Sequence, residues 1–174
     1  MTELWDVLDE KGNKTGRLHE RGKPLNKGEY QRQVYVGILN NKKQWLIAKR
    51  TPNKFPAPNM WEFVGGHVIA GDDSLTSALK EVCEELGIIL EPRNGKLFKS
   101  YKWQRNGDDS GCFVDIWLFR QNIDISTITL CPNETCDAMW ATSLDITRMI
   151  DEGVFKNWEN ITCLDELFAE VKND

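Results

Sequence analysis

GGHVIAGDDSLTSALKEVCEELGI, residues Gly65 to Ile88, holds the pattern that decides the fold. Leu75, Ala78, Leu79, Val82, Cys83 and Leu86 recur at three- and four-residue steps, the mark of an amphipathic helix with one apolar face. Asp73 is a suitable N-cap ahead of that run, and Gly87 supplies a C-terminal stop. Glu81, Glu84 and Glu85 stand at i, i+3 and i+4, which reads as an acidic stripe on the opposite face. Carboxylates at that spacing lie about 5–6 Å apart and repel by roughly 1–3 kcal/mol per pair. Lys80 lies toward the edge of the stripe, so nothing basic sits among the three. A hard divalent cation would relieve the repulsion; the plainer reading is a solvated acidic face, since Glu is common on exposed helices. Gly65, Gly66 and Gly71 ahead of the helix read as a loop whose backbone comes close to a ligand or takes positive φ. Carboxylates with a metal beside such a loop suit a phosphate substrate.

The same residues resemble the Nudix hydrolase box. That box runs Gly, five residues, Glu, seven residues, Arg-Glu, an apolar residue, any residue, Glu-Glu, any residue, Gly and an apolar residue. Here the frame is Gly66, Asp72, Lys80-Glu81, Val82, Glu84-Glu85, Gly87 and Ile88, with spacing matched throughout. Asp72 stands for Glu and Lys80 for Arg, both conservative departures. The resemblance implies Glu84 and Glu85 as oxygen ligands of Mg2+ or Mn2+, with Glu81 either a third ligand or the base that activates water. It also implies a Gly65 carbonyl on the metal and an Asp72–Lys80 ion pair that steadies Glu81.

At 174 residues the chain is long enough for one domain with a real core. Net charge of −5 argues against a broad nucleic-acid surface, while leaving room for a small polyphosphate whose charge a metal meets locally. No apolar run approaches a membrane span. The start, MTELWDVLDE, is acidic and shows no secretory h-region, so cytoplasm is the expected compartment. Five scattered cysteines include no CxxC pair, which favours neither a zinc site nor a disulfide framework. Cys83 reads as packing on the apolar helix face, and most of the seven Trp, including Trp117 and Trp140, read as core.

Along the chain, 3–8 and 17–19 read as strands around a turn at 9–16, and 20–29 as loop. Strands follow at 34–39 and 44–50, then a loop at 51–59 with three prolines and a short strand at 61–64. After the helix, 88–90 is extended, 97–103 and 112–119 form an antiparallel pair, and 138–142 is a last strand. Ser143 reads as N-cap of a helix, and 164–171 as a final helix. This order predicts an α+β domain with a mixed sheet between helices, one domain over 1–174. The Nudix resemblance implies that same α/β/α sandwich. Residues 1–33 resemble the hairpin-like extension of isopentenyl-diphosphate isomerase and Nudix proteins similar to it. In the isomerase a catalytic Cys precedes the Gly-His pair that here is Gly66-His67. This chain has Gly65 there, and Gln31 where a metal-binding His is expected.

Hydrolysis is therefore the expected chemistry: a metal-dependent pyrophosphohydrolase acting on a nucleoside diphosphate derivative or related organic diphosphate. The rivals are an isopentenyl-diphosphate-type isomerase and a non-catalytic nucleotide-sensing domain. Arg50 with Lys49 and His67 are candidates to meet substrate, and Glu134 resembles the late acidic residue some Nudix enzymes use as base or extra ligand. Each has a plainer reading as surface. Specificity is expected in the loops at 51–60, 104–110 and 131–137. The expected partner is a small diphosphate, without nucleic acid polymer or membrane, and the chain is expected to be a monomer or homodimer.

Overall fold

The computed structural model describes residues 3–172. In order the elements are β1 (Leu4–Leu8), β2 (Lys14–Glu20), β3 (Tyr30–Leu39), β4 (Trp45–Arg50), β5 (Trp61–Glu62), β6 (Val64–His67) and helix α1 (Ser74–Leu86). Then come β7 (Gly95–Trp103), β8 (Gly111–Arg120), β9 (Thr135–Ala141), α2 (Ser143–Asp151) and α3 (Leu164–Ala169). Strand β3 is the hub. It runs parallel to β8 along its whole length, from Tyr30↔Gly111 to Leu39↔Arg120, and antiparallel to β6 from Gln33↔His67 to Val36↔Val64. Antiparallel β7–β8, β4–β9 and β4–β5 pairs complete a mixed sheet.

The strands are apolar on both faces because helices cover both faces. Val34, Val36, Ile38, Leu46 and Ala48 point to one side and join Ala78, Val82 and Leu86 of α1. Leu39, Trp45, Ile47, Val114, Ile116 and Leu118 point to the other and meet Ile146 and Met149 of α2 and Leu164 and Leu167 of α3. The alternation of Trp45/Ile47 with Leu46/Ala48 sorts one strand between two cores. The result is the α+β, α/β/α sandwich the sequence predicts. Trp117 and Trp140, expected in the core, are partly buried and pack against the α1 layer.

Several boundaries shift. Strand β3 begins at Tyr30 rather than 34, and β6 runs through Gly65 and Gly66, so these glycines are strand instead of loop. Only Gly71 of the three takes positive φ, +92°. Residues 88–90 form no strand, and the α2 cap is Thr142, in a capping box with Asp145. Asp73 and Gly87 do cap α1: Asp73 accepts from the Thr76 amide, and Gly87 is left-handed at φ 66°.

The β1–β2 hairpin braces the entry to α1. The Ala70 amide donates to the Leu4 carbonyl at 2.8 Å, and the Gly71 amide to Asp6 Oδ2 at 3.0 Å. Trp5 bridges to Ile69 and stacks on His67 with ring centroids 4.0 Å apart.

Candidate active site

Helix α1 places its glutamates differently from the simple two-face reading. At about 100° per residue, Glu85 lies about 60° from Val82, the middle of the buried arc. Glu85 is thus buried, 4% exposed, on the flank of the apolar face rather than opposite it. Glu81 lies one turn earlier on the same flank, and Glu84 is exposed. Cys83, expected in the core, is exposed instead, because one step from Val82 carries it past the opposite edge of the buried arc.

The flank holding Glu81 faces β6, and glycine is what allows the approach. A Cβ on Gly66 would stand 2.0 Å from Glu81 Oε1 and 2.4 Å from its Cδ. Gly65 meets the neighbouring strand in the same way: its Cβ would lie 2.4 Å from the Val34 carbonyl oxygen. Glu85 is held at both oxygens. The Thr135 hydroxyl donates to Oε2 at 3.3 Å, and the Lys54 ammonium lies 3.4 Å from Oε1. Lys54 also pairs with Glu134.

Burial, with repulsion from Glu85 and Glu84, pushes Glu81 up to about 7, against the pull of Lys54. Burial also raises Glu85, and Glu62 adds to that while Lys54 opposes it. Among the described residues, no three His, Cys, Asp or Glu side chains are already gathered as a cation cage. The donor set nonetheless fits a hard divalent cation, being all carboxylate oxygen with mutual repulsion to relieve. Glu81, Glu84 and Glu85 are the side chains that would hold it.

The pairing of Asp72 with Lys80 is present, with Lys80 Nζ 2.9 and 2.7 Å from the two Asp72 oxygens. Arg50 is put to another use than meeting substrate. It is 7% exposed, with Nη1 2.7 Å from Glu62 Oε1, and it donates to the carbonyls of Ala57 and Lys54. Its guanidinium anchors the 51–60 loop from beneath. Lys49 lies over the Trp61 ring. His67 is no surface loop residue: it sits in β6, between Trp5 and a 2.9 Å hydrogen bond to Gln33, and burial lowers it to about 4. Glu134 stands beside the carboxylate cluster through Lys54.

Lys54, Thr135 and Glu62 escaped the sequence reading. Lys54 sits in a proline-rich loop whose path no local pattern sets, and Thr135 lies 50 positions from the Glu85 it contacts. Glu62 could have been suspected as a charge in an otherwise apolar strand. It is buried, and accepts from Arg50 and from Trp158 Nε1, each at 2.7 Å.

The raised carboxylates set a pH dependence for the metal-free protein. Below about pH 4.5 Glu81 is neutral folded and unfolded. Above that value the unfolded chain ionises first, so stability falls by on the order of 2–3 kcal/mol as pH climbs to about 7. His67 works the other way: its stabilising neutral form is lost as pH falls from about 6.5 through 4. In urea unfolding with chelator present, Glu81→Gln is expected to flatten the loss toward neutral pH and leave the acid-side loss intact. An unchanged profile would show that Glu81 ionises freely in the folded state.

Within this sandwich a helix-borne carboxylate set is thus fitted against a glycine strand. The NUDIX domain model matches residues 29–160. The chain belongs to the Nudix family, whose hydrolases act on diphosphate bonds and generally use divalent metals. An uncharacterized Nudix hydrolase of Listeria innocua is 33% identical over 172 residues, covering 98% of this chain and 96% of that one. The crystal structure of a Deinococcus radiodurans protein superposes with a TM-score of 0.72 over 98% of both chains at 21% identity, a likeness of fold. Isopentenyl-diphosphate Delta-isomerase of Pectobacterium atrosepticum is 29% identical over 83 residues, 47% of this chain and 46% of that one.

Proposed function

We propose that this Nudix enzyme is a metal-dependent pyrophosphohydrolase that cleaves the diphosphate linkage of a nucleoside diphosphate derivative or a related organic diphosphate. The observation that carries the reading is the joint placement of Glu85, buried and held by Thr135, and Glu81, fitted against Gly66. Glu84, Glu85 and the Gly65 carbonyl would hold Mg2+ or Mn2+ through oxygen, with Glu81 either a third ligand or the base. A cation bound there supplies neutralisation of the bridging phosphates and an acidified water. As the base, Glu81 would take the proton of the attacking water, its half-buried carboxylate held against Gly66 of β6. Lys80, through its pair with Asp72, keeps the start of the helix in place beside them. Gly65 argues against the isomerase reading, because it offers no thiol where the isomerase has its catalytic Cys.

The test is a cleavage screen with Mg2+ across nucleoside diphosphate sugars, dinucleoside polyphosphates, nucleoside triphosphates and prenyl diphosphates, read as phosphate release after phosphatase coupling. At least one class is expected to turn over, with activity lost in Glu84→Gln and Glu85→Gln. Isopentenyl diphosphate is expected to give no dimethylallyl diphosphate by proton NMR. Tight nucleotide binding without turnover of any class would favour the sensing-domain reading instead.

A further inference from the structure

The 51–60 loop reaches the carboxylate site through Lys54, and its backbone is fixed at several points. The Arg50 amide donates to the Met60 carbonyl at 2.9 Å, and Thr51 to Glu134 at 3.1 Å. Arg50 Nε donates to Ala57 at 3.1 Å, and the Lys54 amide to Thr51 at 3.2 Å. What the loop delivers to the site is a single ammonium on a flexible four-carbon stem. That ammonium sits between Glu85, a buried carboxylate of α1, and Glu134, a half-exposed one outside the helix. Glu85 keeps its second oxygen on Thr135, so it stays aimed whether or not the ammonium is there.

We propose that Lys54, held on Glu134, is also a tethered counter-ion of the metal-free enzyme, which neutralises Glu85 until a divalent cation takes its place there and leaves it on Glu134 alone. The inference rests on the metal-binding reading above. Leaving Glu85 without any cation would strand a buried charge, which is strongly unfavourable. A lysine on a fixed loop meets that need at low occupancy of metal, and its stem lets it withdraw without moving the backbone. The same contact makes Lys54 a competitor: metal binding must break the Lys54–Glu85 pair, so the pair weakens metal affinity and the metal loosens Lys54 by the same factor. Glu134 keeps the displaced ammonium at the rim of the site, where its charge remains available to an anionic substrate.

Two measurements test this. In the wild type, limited acetylation with acetic anhydride read by mass spectrometry should label Lys54 several-fold faster when Mg2+ is added, and Glu85→Gln should show no such response. In titration calorimetry with Mn2+ at pH 8, Lys54→Met should bind roughly 5- to 20-fold more tightly than wild type. Saturable Mn2+ binding with unchanged or slower Lys54 labelling overturns the displacement, whatever the variant does. Equal or weaker Mn2+ binding by folded Lys54→Met overturns the competition. If the wild type binds no Mn2+ at all, this inference and the metal-dependent reading fall together. The labelling arm uses the native protein, so it decides the matter even if the variant does not fold.

Discussion

Alanine at Gly66 is expected to lower kcat by on the order of 100-fold, the usual cost of moving a catalytic group by about 1 Å, while stability changes little. The Cβ it adds would overlap Glu81 Oε1 and Cδ, at 2.0 and 2.4 Å. Those atoms are the far end of a flexible side chain. The carboxylate can turn away at small energetic cost, and in turning it leaves the position that the reaction needs. Gly65→Ala differs in that stability should fall as well, and its carbonyl, a proposed metal ligand, moves with the backbone. Its Cβ would press on the Val34 carbonyl oxygen at 2.4 Å and Tyr35 Cδ1 at 2.6 Å, within the β3–β6 pairing itself. That substitution should reduce stability, because backbone must move. Steady-state kinetics on the substrate found by screening, with urea unfolding of both variants, separates the two effects. Wild-type kcat in Gly66→Ala would show that Glu81 has no need of its place against β6.

Arg50→Met should destabilise the fold by about 3–5 kcal/mol, the usual cost of stranding one member of a buried ion pair. Arg50 and Glu62 both sit almost wholly out of solvent, 7% and 5% exposed. Loss of the guanidinium leaves the Glu62 carboxylate with Trp158 Nε1, and frees the Ala57 and Lys54 carbonyls that tie down the loop. The double substitution Arg50→Met/Glu62→Leu should recover much of the loss, since replacing both charges by apolar groups removes the uncompensated one. Urea unfolding of the two single variants and the double closes the cycle. A loss below about 1 kcal/mol in Arg50→Met would mean that water reaches Glu62 and that the loop stands without its anchor.

The two predictions also mark how far sequence reading carries. The box was legible because its signals are local. Asp73 and Gly87 cap the helix through their own neighbours, and the glutamate spacing lies within two turns of one helix. The strands were legible in outline because β4 alternates Trp45 and Ile47 with Leu46 and Ala48, a period that survives any rearrangement of the loops.

What local patterning could not decide was direction and distance. The period placed Glu81, Glu84 and Glu85 together, yet packing of α1 on β6 determined that Glu85 is buried while Glu84 and Cys83 are exposed. A glycine pair reads as loop from sequence because glycine permits positive φ. Here Gly65 and Gly66 are extended strand, and they are glycine because Val34 and Glu81 from elsewhere in the chain leave no space for a Cβ. Arg50 reads from sequence as surface or as a candidate to meet substrate because its neighbours in the chain cannot show that Glu62 lies beside it. Lys54 and Thr135 reach Glu85 from 31 and 50 positions away. The sequence by itself therefore determined the helix, its carboxylates and the layered sheet. Tertiary structure alone decided which carboxylate is buried, which cation answers it and which arginine is buried, because burial and charge pairing depend on segments that meet only on folding.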